Sequence, residues 1–254
     1  MNTPKKPDLK QKQIIYDDTC PMCQWYTGAF VKYGFLAEQN RVSFTELHSQ
    51  QLDDYQVDAN TARHEIPLVD LEGNQPIYGL DSLIYILQSR WPIVGKAMKI
   101  KPLYWFFKKM YALVSYNRRV MAPTVPQTTG FDCAPDFHLR YRMFFICFAW
   151  VVSGFISFHF TEKLWGDAGI GWFLSICGIW FVHYAFALKM SIPSRIEFWG
   201  QLATIKLIGT LSLLPSLWMA SREFMFFNLG IATLLMLGQY LRRVIRYHQL
   251  FPND

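Results

Sequence analysis

The 254-residue sequence is short of charge. Asp, Glu, Lys and Arg make up 17% of it and hydrophobic residues 52%, where a soluble globular chain carries about 25% charged residues. It has only five cysteines, Cys20, Cys23, Cys133, Cys147 and Cys177, an odd number at irregular spacing. That excludes a disulfide framework. Residues 1–12 are polar, contain several lysines and lack an apolar core, so no secretory signal peptide is expected and the first domain should stay on the side where it is made. No recognisable nucleic-acid-binding module accompanies the net charge of +6, and no nucleic-acid partner is expected.

The charge that is present is unevenly spread. Residues 1–140 hold most of it, and residues 141–241 hold long apolar stretches. The length accommodates one soluble domain and a small helical membrane domain. Basic residues gather at 96–119, 140–142 and 242–246, beside the apolar stretches. That placement suits an anionic membrane face.

Within the first half, residues 12–16 read as a short buried strand. Thr19 is placed to cap a following helix, and Pro21 suits a first helical turn. The helix runs from Met22 to about Glu38, with Trp25, Ala29, Phe30, Tyr33 and Leu36 on a broad apolar face. Residues 42–46 alternate as a second strand, and the polar residues 49–64 form one or two short helices. Residues 66–69 read as a third strand entered through Pro67. Glu72-Gly73-Asn74 is a turn signal, residues 75–78 an antiparallel partner, and residues 82–88 a helix capped by Asp81 or nearby groups. The order β-α-β, connector, β-β-α is a thioredoxin-like α/β layout, with a central sheet and helices on both sides.

Residues 93–122 interleave lysines and arginines with Trp105, Phe106, Phe107, Tyr111 and Leu113. This basic, amphipathic helical segment either lies at a bilayer surface or packs on the soluble domain. Residues 123–140, with Pro123, Pro126, Gly130 and Pro135, read as a linker.

Four transmembrane helices are expected in an all-α bundle, at about 141–160, 169–188, 198–219 and 223–241, each near the twenty residues that a crossing needs. Trp165, Trp172, Trp199 and Trp218 fall near their ends, as interfacial aromatics do. Arg140 and Arg142, then Lys189 and Arg195, then Arg242, Arg243 and Arg246 lie on one side. The positive-inside rule therefore puts both termini, including the tail 242–254, in the cytoplasm. The setting expected is an integral protein of a bacterial inner membrane, with the lipid bilayer and a further membrane protein as partners.

Lys206 sits about 12 Å from the inner end of its span at the helical rise, with no acidic residue at similar depth in another span. It is a candidate functional residue inside the membrane, or it snorkels or hydrogen-bonds within the bundle. His159 and His183 are separated by roughly 20 Å along the membrane normal, which argues against paired haem ligation. Cys147 and Cys177 differ in depth by roughly 8 Å, beyond disulfide reach.

The chemistry is concentrated in Cys20-Pro21-Met22-Cys23, behind the apolar run Ile14-Ile15-Tyr16 and the acids Asp17 and Asp18. Such a pair binds zinc when two further ligands are at hand. Cys133, His48 and His64 are available, but form no second compact pair. The other use is thiol–disulfide exchange, favoured where the pair opens a helix after a strand. There the helix N-terminus stabilises a thiolate. Cys20, first in the helix and more exposed, attacks; Cys23, one turn later and more buried, resolves the mixed disulfide. Asp17 either moves a proton to or from Cys23 or fixes the loop, and Asp18 adds charge that opposes thiolate formation. No cofactor and no metal are expected. The alternative functions are an assembly module with a structural or zinc-bound pair, and a small transporter.

The run Tyr16-Asp17-Asp18-Thr19-Cys20-Pro21-Met22-Cys23 resembles the D-x-x-C-x-x-C signature of the thiol-disulfide oxidoreductase DCC family, carried here by Asp17, Cys20 and Cys23. The family usually has glycine where this chain has Asp18. Gly79-Leu80-Asp81 resembles its glycine–x–aspartate motif, which opens a later helix. The resemblance covers about residues 12–120, including the core at 12–92 and the basic segment. It implies a thioredoxin-like fold, disulfide chemistry without a defined substrate, and in some members fusion to membrane segments. By the same layout, Pro67 is cis and faces the dithiol, and the backbone at Ile66 before it pairs with a substrate strand. A disulfide substrate and a thiol electron donor are the partners implied.

Overall fold

A computed structural model describes residues 9–47, 49–122, 135–219 and 221–250. The chain divides into two compact units, residues 1–138 and 139–254. His48, Cys133 and most of the linker lie outside the described residues, as does the side chain of Arg246.

The first unit is built on strands β1 (Lys12–Tyr16), β2 (Arg41–Ser43), β3 (Pro67–Asp70) and β4 (Ile77–Tyr78), in the order β2-β1-β3-β4. β1 runs parallel to β2 and antiparallel to β3, and β3 is antiparallel to β4. Helix α1 (Pro21–Lys32) makes the crossover from β1 to β2 that parallel pairing demands. Two short helices, α2 (Ser49–Asp54) and α3 (Ala59–Ala62), precede β3, and α4 (Gly79–Arg90), α5 (Pro92–Met98) and α6 (Lys101–Met121) follow β4.

Because side chains alternate along a strand, neighbouring apolar residues enter different cores. Ile14 and Leu68 pack with Phe35, Leu36, Ile66 and Ile86 on one face, while Ile15 and Val69 pack with Phe44, Val57 and Ala62 on the other. Both faces of the sheet are thus covered, and the small mixed sheet with its helices is consistent with a thioredoxin-like domain.

Several local expectations are corrected. Helix α1 ends at Lys32, because Gly34 adopts φ +69° and turns the chain. The buried side of α1 carries Cys23 and Thr27, whereas Trp25 is 78% exposed and Tyr33 is also exposed. Thr19 does not cap the helix. Cys20 holds the N-cap position, and its Sγ accepts from the Cys23 N–H at 3.5 Å. Asp81 does not cap α4 either; Tyr78 is at the N-cap without a side-chain bond.

The second unit contains α7 (Leu139–Trp165), α8 (Gly169–Phe186), α9 (Ile192–Leu211), α10 (Leu214–Trp218) and α11 (Arg222–Leu250). Among the described residues, two stretches are long and apolar enough to cross a membrane, Leu139–Lys189 and Arg222–Arg243. The first folds back on itself. After Gly166, at φ +56°, α8 returns along α7, with Phe158 against Phe173 at 5.6 Å and Trp150 against Tyr184 at 5.1 Å between ring centroids.

The third expected span, 198–219, is not one continuous helix. Its helix starts earlier, at Ile192, and stops at Leu211. Pro215, which has no N–H to continue a helical ladder, opens the short α10. Arg195, Glu197 and Lys206 place three charged residues along α9. Two of the arginines used to orient the bundle lie inside it. Arg142 pairs with Glu197 at 3.1 Å and Arg243 donates to Gln201, both arginines being buried.

Candidate active site

The loop between β1 and α1 is fixed by Asp17, which is buried. Its Oδ1 accepts from the Thr19 N–H at 3.0 Å and from the Thr19 hydroxyl at 2.6 Å. Thr19 is therefore committed to the loop rather than to the helix. Asp18 is held apart, accepting from the Thr45 hydroxyl at 2.8 Å. Pro21 occupies the first turn of α1, where its missing N–H costs no hydrogen bond.

Both thiols are free and buried: Cys20 is 2% exposed and Cys23 5%. The expectation that Cys20 is the open thiol is thus corrected, since the strand end and helix start enclose it as well. The two sulfurs still differ sharply. The hydrogen bond from the Cys23 side chain is the main influence lowering the Cys20 pKa to about 6, and the Cys23 N–H and Arg118 add to it against burial and the Asp17 charge. The same bond, with burial and the charge of a Cys20 thiolate, pushes the Cys23 thiol upward. One pair thereby separates into a thiolate at neutral pH and a proton-bearing partner.

Helix α6 supplies residues that the sequence did not flag. Arg118 places Nη1 at 3.8 Å from Cys23 Sγ and Nη2 at 3.5 Å from Asp17 Oδ2, and Nη2 also donates to the Arg63 carbonyl at 3.1 Å. The Ser115 hydroxyl donates to the His64 carbonyl, and the Tyr111 hydroxyl accepts from the Ile66 N–H at 3.1 Å. Residues 111, 115 and 118 share one helical face by their spacing, and together they hold the segment that leads into β3. Tyr26, from α1, adds its hydroxyl to Cys23 Sγ at 3.9 Å, and burial raises the Tyr26 pKa. The available signal was the amphipathic pattern of α6; the partners lie too far away in sequence for a spacing rule to reach.

The backbone at Ile66 is fully engaged. Its N–H goes to Tyr111, and its carbonyl accepts from the Gly79 N–H at 2.9 Å and the Ser82 hydroxyl at 3.2 Å. Pro67 is buried at the start of β3 and pairs in register with Tyr78. No peptide among the described residues is cis, so the cis isomer implied for Pro67 is not the one found.

Gly79 takes φ +61° as it closes onto Ile66, and a Cβ there would lie 2.6 Å from the Glu65 carboxylate. The positive φ disfavours a side chain there, and the Glu65 side chain would have to shift to admit one. Asp81 accepts from the Tyr104 hydroxyl at 3.0 Å through both oxygens, which ties the start of α6 to α4. The glycine–x–aspartate motif thus serves the geometry around β3 and α6.

Lys206 is in the second unit. It is 2% exposed, and its Nζ lies 3.5 Å from the centroid of the Trp150 ring, with no hydrogen-bond partner among the described residues. His159 faces Glu162 at 3.6 Å, and His183 Nδ1 contacts the Ile179 carbonyl at 2.8 Å. Cys147 and Cys177 are free. Among the described residues no group of three or more His, Cys, Asp or Glu side chains is placed to hold a metal ion.

A strand, a tight acidic turn and a helix that opens on an asymmetric dithiol define a thiol–disulfide redox domain. Residues 14–122, within the first unit, match the family model described as DCC1-like thiol-disulfide oxidoreductase. The match supports an oxidoreductase with a redox function. It extends through α6, so the helix that carries Arg118 is within the matched region. No curated protein and no solved structure matches the chain.

Proposed function

We propose that the chain is a membrane-tethered thiol–disulfide oxidoreductase that works on a protein or small-molecule disulfide through Cys20 and Cys23. The observation that carries the reading is Cys20 at the N-cap of α1 with its Sγ accepting from the Cys23 N–H at 3.5 Å, an arrangement in which hydrogen bonding from Cys23 lowers the Cys20 pKa while the Cys23 thiol is pushed upward and keeps its proton. In the reducing direction, the Cys20 thiolate attacks one sulfur of the substrate disulfide. That S–S bond breaks, a mixed disulfide forms on Cys20, and the other substrate sulfur leaves as a thiolate. Cys23 gives up its proton and attacks Cys20 Sγ, closing the Cys20–Cys23 disulfide and releasing the second substrate thiolate. Two electrons pass to the substrate, and a thiol donor returns them to the protein. The oxidising direction retraces the same steps.

Asp17 and Arg118 serve the second step. The Asp17 carboxylate is the proton acceptor for Cys23, and the Arg118 guanidinium offsets negative charge at both groups. Substrate docks on the backbone at Ile66 and Pro67. Docking at the Ile66 N–H requires release of the Tyr111 hydroxyl that now accepts from it.

The second unit is the tether. Its two apolar stretches suit a membrane by length and composition, and Ile170, Leu174, Ile179, Phe181, Val182 and Phe186 on α8 are exposed large apolar side chains. Hydrocarbon is the environment that stabilises such a surface. In this reading four helices span a bacterial inner membrane, and both termini and the dithiol domain are cytoplasmic.

The test is a C23S variant expressed in its native membrane. Without the resolving sulfur, a mixed disulfide on Cys20 accumulates and is identified after alkylation; C20S shows none. If C23S traps no disulfide-linked adduct and C20S keeps full thiol-exchange activity, the proposal fails.

A further inference from the structure

Between Asp81 and residue 122 the chain has eight Lys and Arg and no Asp or Glu. Only part of this segment is used to build the domain. Leu113, Ser115, Asn117 and Val120, in the second half of α6, are buried. The first half of α6 and the adjoining α5 are different: Ile93, Ile100, Trp105 and Phe106 are all more than half exposed. All five lysines between residues 96 and 109 are exposed as well. Lys109 lies over Trp105 at 6.0 Å and Lys108 over Tyr104 at 5.8 Å from the ring centroids, so charge and aromatic surface form one patch.

We propose that this exposed surface of α5 and the first half of α6 docks on an anionic bilayer surface. Indole and phenyl rings favour the headgroup level, and lysines beside them are attracted to anionic lipid. Residues 82–122 contribute lysine and arginine but no acid to the patch, and Asp81, bonded to the Tyr104 hydroxyl, is the one carboxylate described at its edge. The inference rests on the membrane-tethered reading above and adds where the dithiol works. Trp105 and Arg118 are thirteen residues apart, about 20 Å along the helix. Since α6 is fixed by Tyr104 on Asp81, Tyr111 on Ile66 and Arg118 on Asp17, the docked surface sets the height of the dithiol. The substrates selected are disulfides presented close to the bilayer face.

The full-length chain is reconstituted in nanodiscs of phosphatidylcholine, with or without phosphatidylglycerol, with a genetically encoded environment-sensitive fluorophore at Phe106. Brominated lipid and aqueous iodide serve as the two quenchers. The proposal predicts quenching by brominated lipid in discs with phosphatidylglycerol, weakened by high salt. In a K101E/K108E/K109E variant it predicts that this lipid quenching is lost. The neutral K101Q/K108Q/K109Q variant guards against misfolding and gives an intermediate result, with the Cys20 alkylation midpoint unchanged. Quenching by iodide alone in both kinds of disc overturns the proposal. So does protection from both quenchers, which means that protein, either this chain or a second copy, covers the patch. Alkaline extraction of the same membranes reports separately on the tether, and the Cys20–Cys23 cycle on the same sample reports separately on the chemistry.

Discussion

Arg118 and Lys206 are both cations withdrawn from water, one in each unit, and their surroundings are opposite. The Arg118 side chain is 12% exposed and has a carboxylate, a sulfur and a backbone carbonyl around its planar fork. Lys206 is more deeply buried, yet its ammonium meets the faces of Trp150 and Trp180 at 3.5 Å and 5.8 Å, with no hydrogen-bond partner among the described residues. A guanidinium surrounded by groups that change charge during a reaction is placed to influence that reaction. An ammonium on indole rings gains cation–π attraction but touches nothing that titrates with the dithiol. Arg118 therefore lies beside the dithiol on which the proposed chemistry runs, and Lys206 in the interior of the helical unit.

The neighbours of the Cys20 thiolate differ in how strongly they set it. The largest effect is expected from Cys23, whose hydrogen bond is the main cause of the low value. In C23A the midpoint of Cys20 alkylation moves up from about 6 toward the ordinary value of 9.0, read from iodoacetamide rates against pH. The parent protein sets the baseline. Because the thiolate is the reactive form, a midpoint near 6 makes alkylation about tenfold slower at pH 5 than at pH 7. An unchanged rate across that interval would contradict the assignment.

Next comes Arg118. R118M removes a charge that favours both thiolates, and the Cys20 midpoint moves up by about one pH unit. D17N works in the opposite direction. Its amide oxygen still accepts from Thr19, so the loop is kept, while the repulsion between carboxylate and thiolate is lost and the midpoint moves down. The two variants therefore separate charge from structure by sign. If both shift the midpoint the same way, loop disruption rather than electrostatics is responsible. The smallest effect on the thiols is that of K206M: no movement of the Cys20 midpoint, and a change in thermal stability in detergent of about 1 kcal/mol as the cation–π contact is exchanged for apolar packing. A clear shift in the Cys20 midpoint with K206M would show that Lys206 influences the dithiol.

How far the sequence led differs between the units, for physical reasons. The dithiol, β1, the two short helices, the turn at Gly73 and the β4–α4 connection were legible because period, turn chemistry and the CxxC spacing are local signals. So was the glycine–x–aspartate motif, although its purpose was not: Gly79 answers to Glu65 and Ile66, and Asp81 to Tyr104. Arg118 was invisible as a site residue because its partners are 55 to 101 positions away, and only the folded sheet brings them together. The burial of Cys20 and the exposure of Trp25 depend on how α1 meets its neighbours, which helix periodicity does not fix.

In the second unit, hydropathy located the apolar helices but misplaced the third. Pro215 breaks that segment, and its charged residues belong to the helix. Arg142 and Arg243 looked like flanking charges by position, yet pair with Glu197 and Gln201 inside the unit. A counting rule for basic residues does not distinguish a charge at an interface from one that holds two helices together.

The most direct test of the central claim is thiol trapping of the full-length protein across a series of glutathione redox buffers, with each cysteine identified by mass spectrometry. The account predicts that Cys20 and Cys23 lose and regain their free thiols together in one reversible two-electron transition, while Cys147 and Cys177 remain free throughout. If Cys20 and Cys23 titrate independently, or never form a disulfide with each other in any buffer, the account is contradicted.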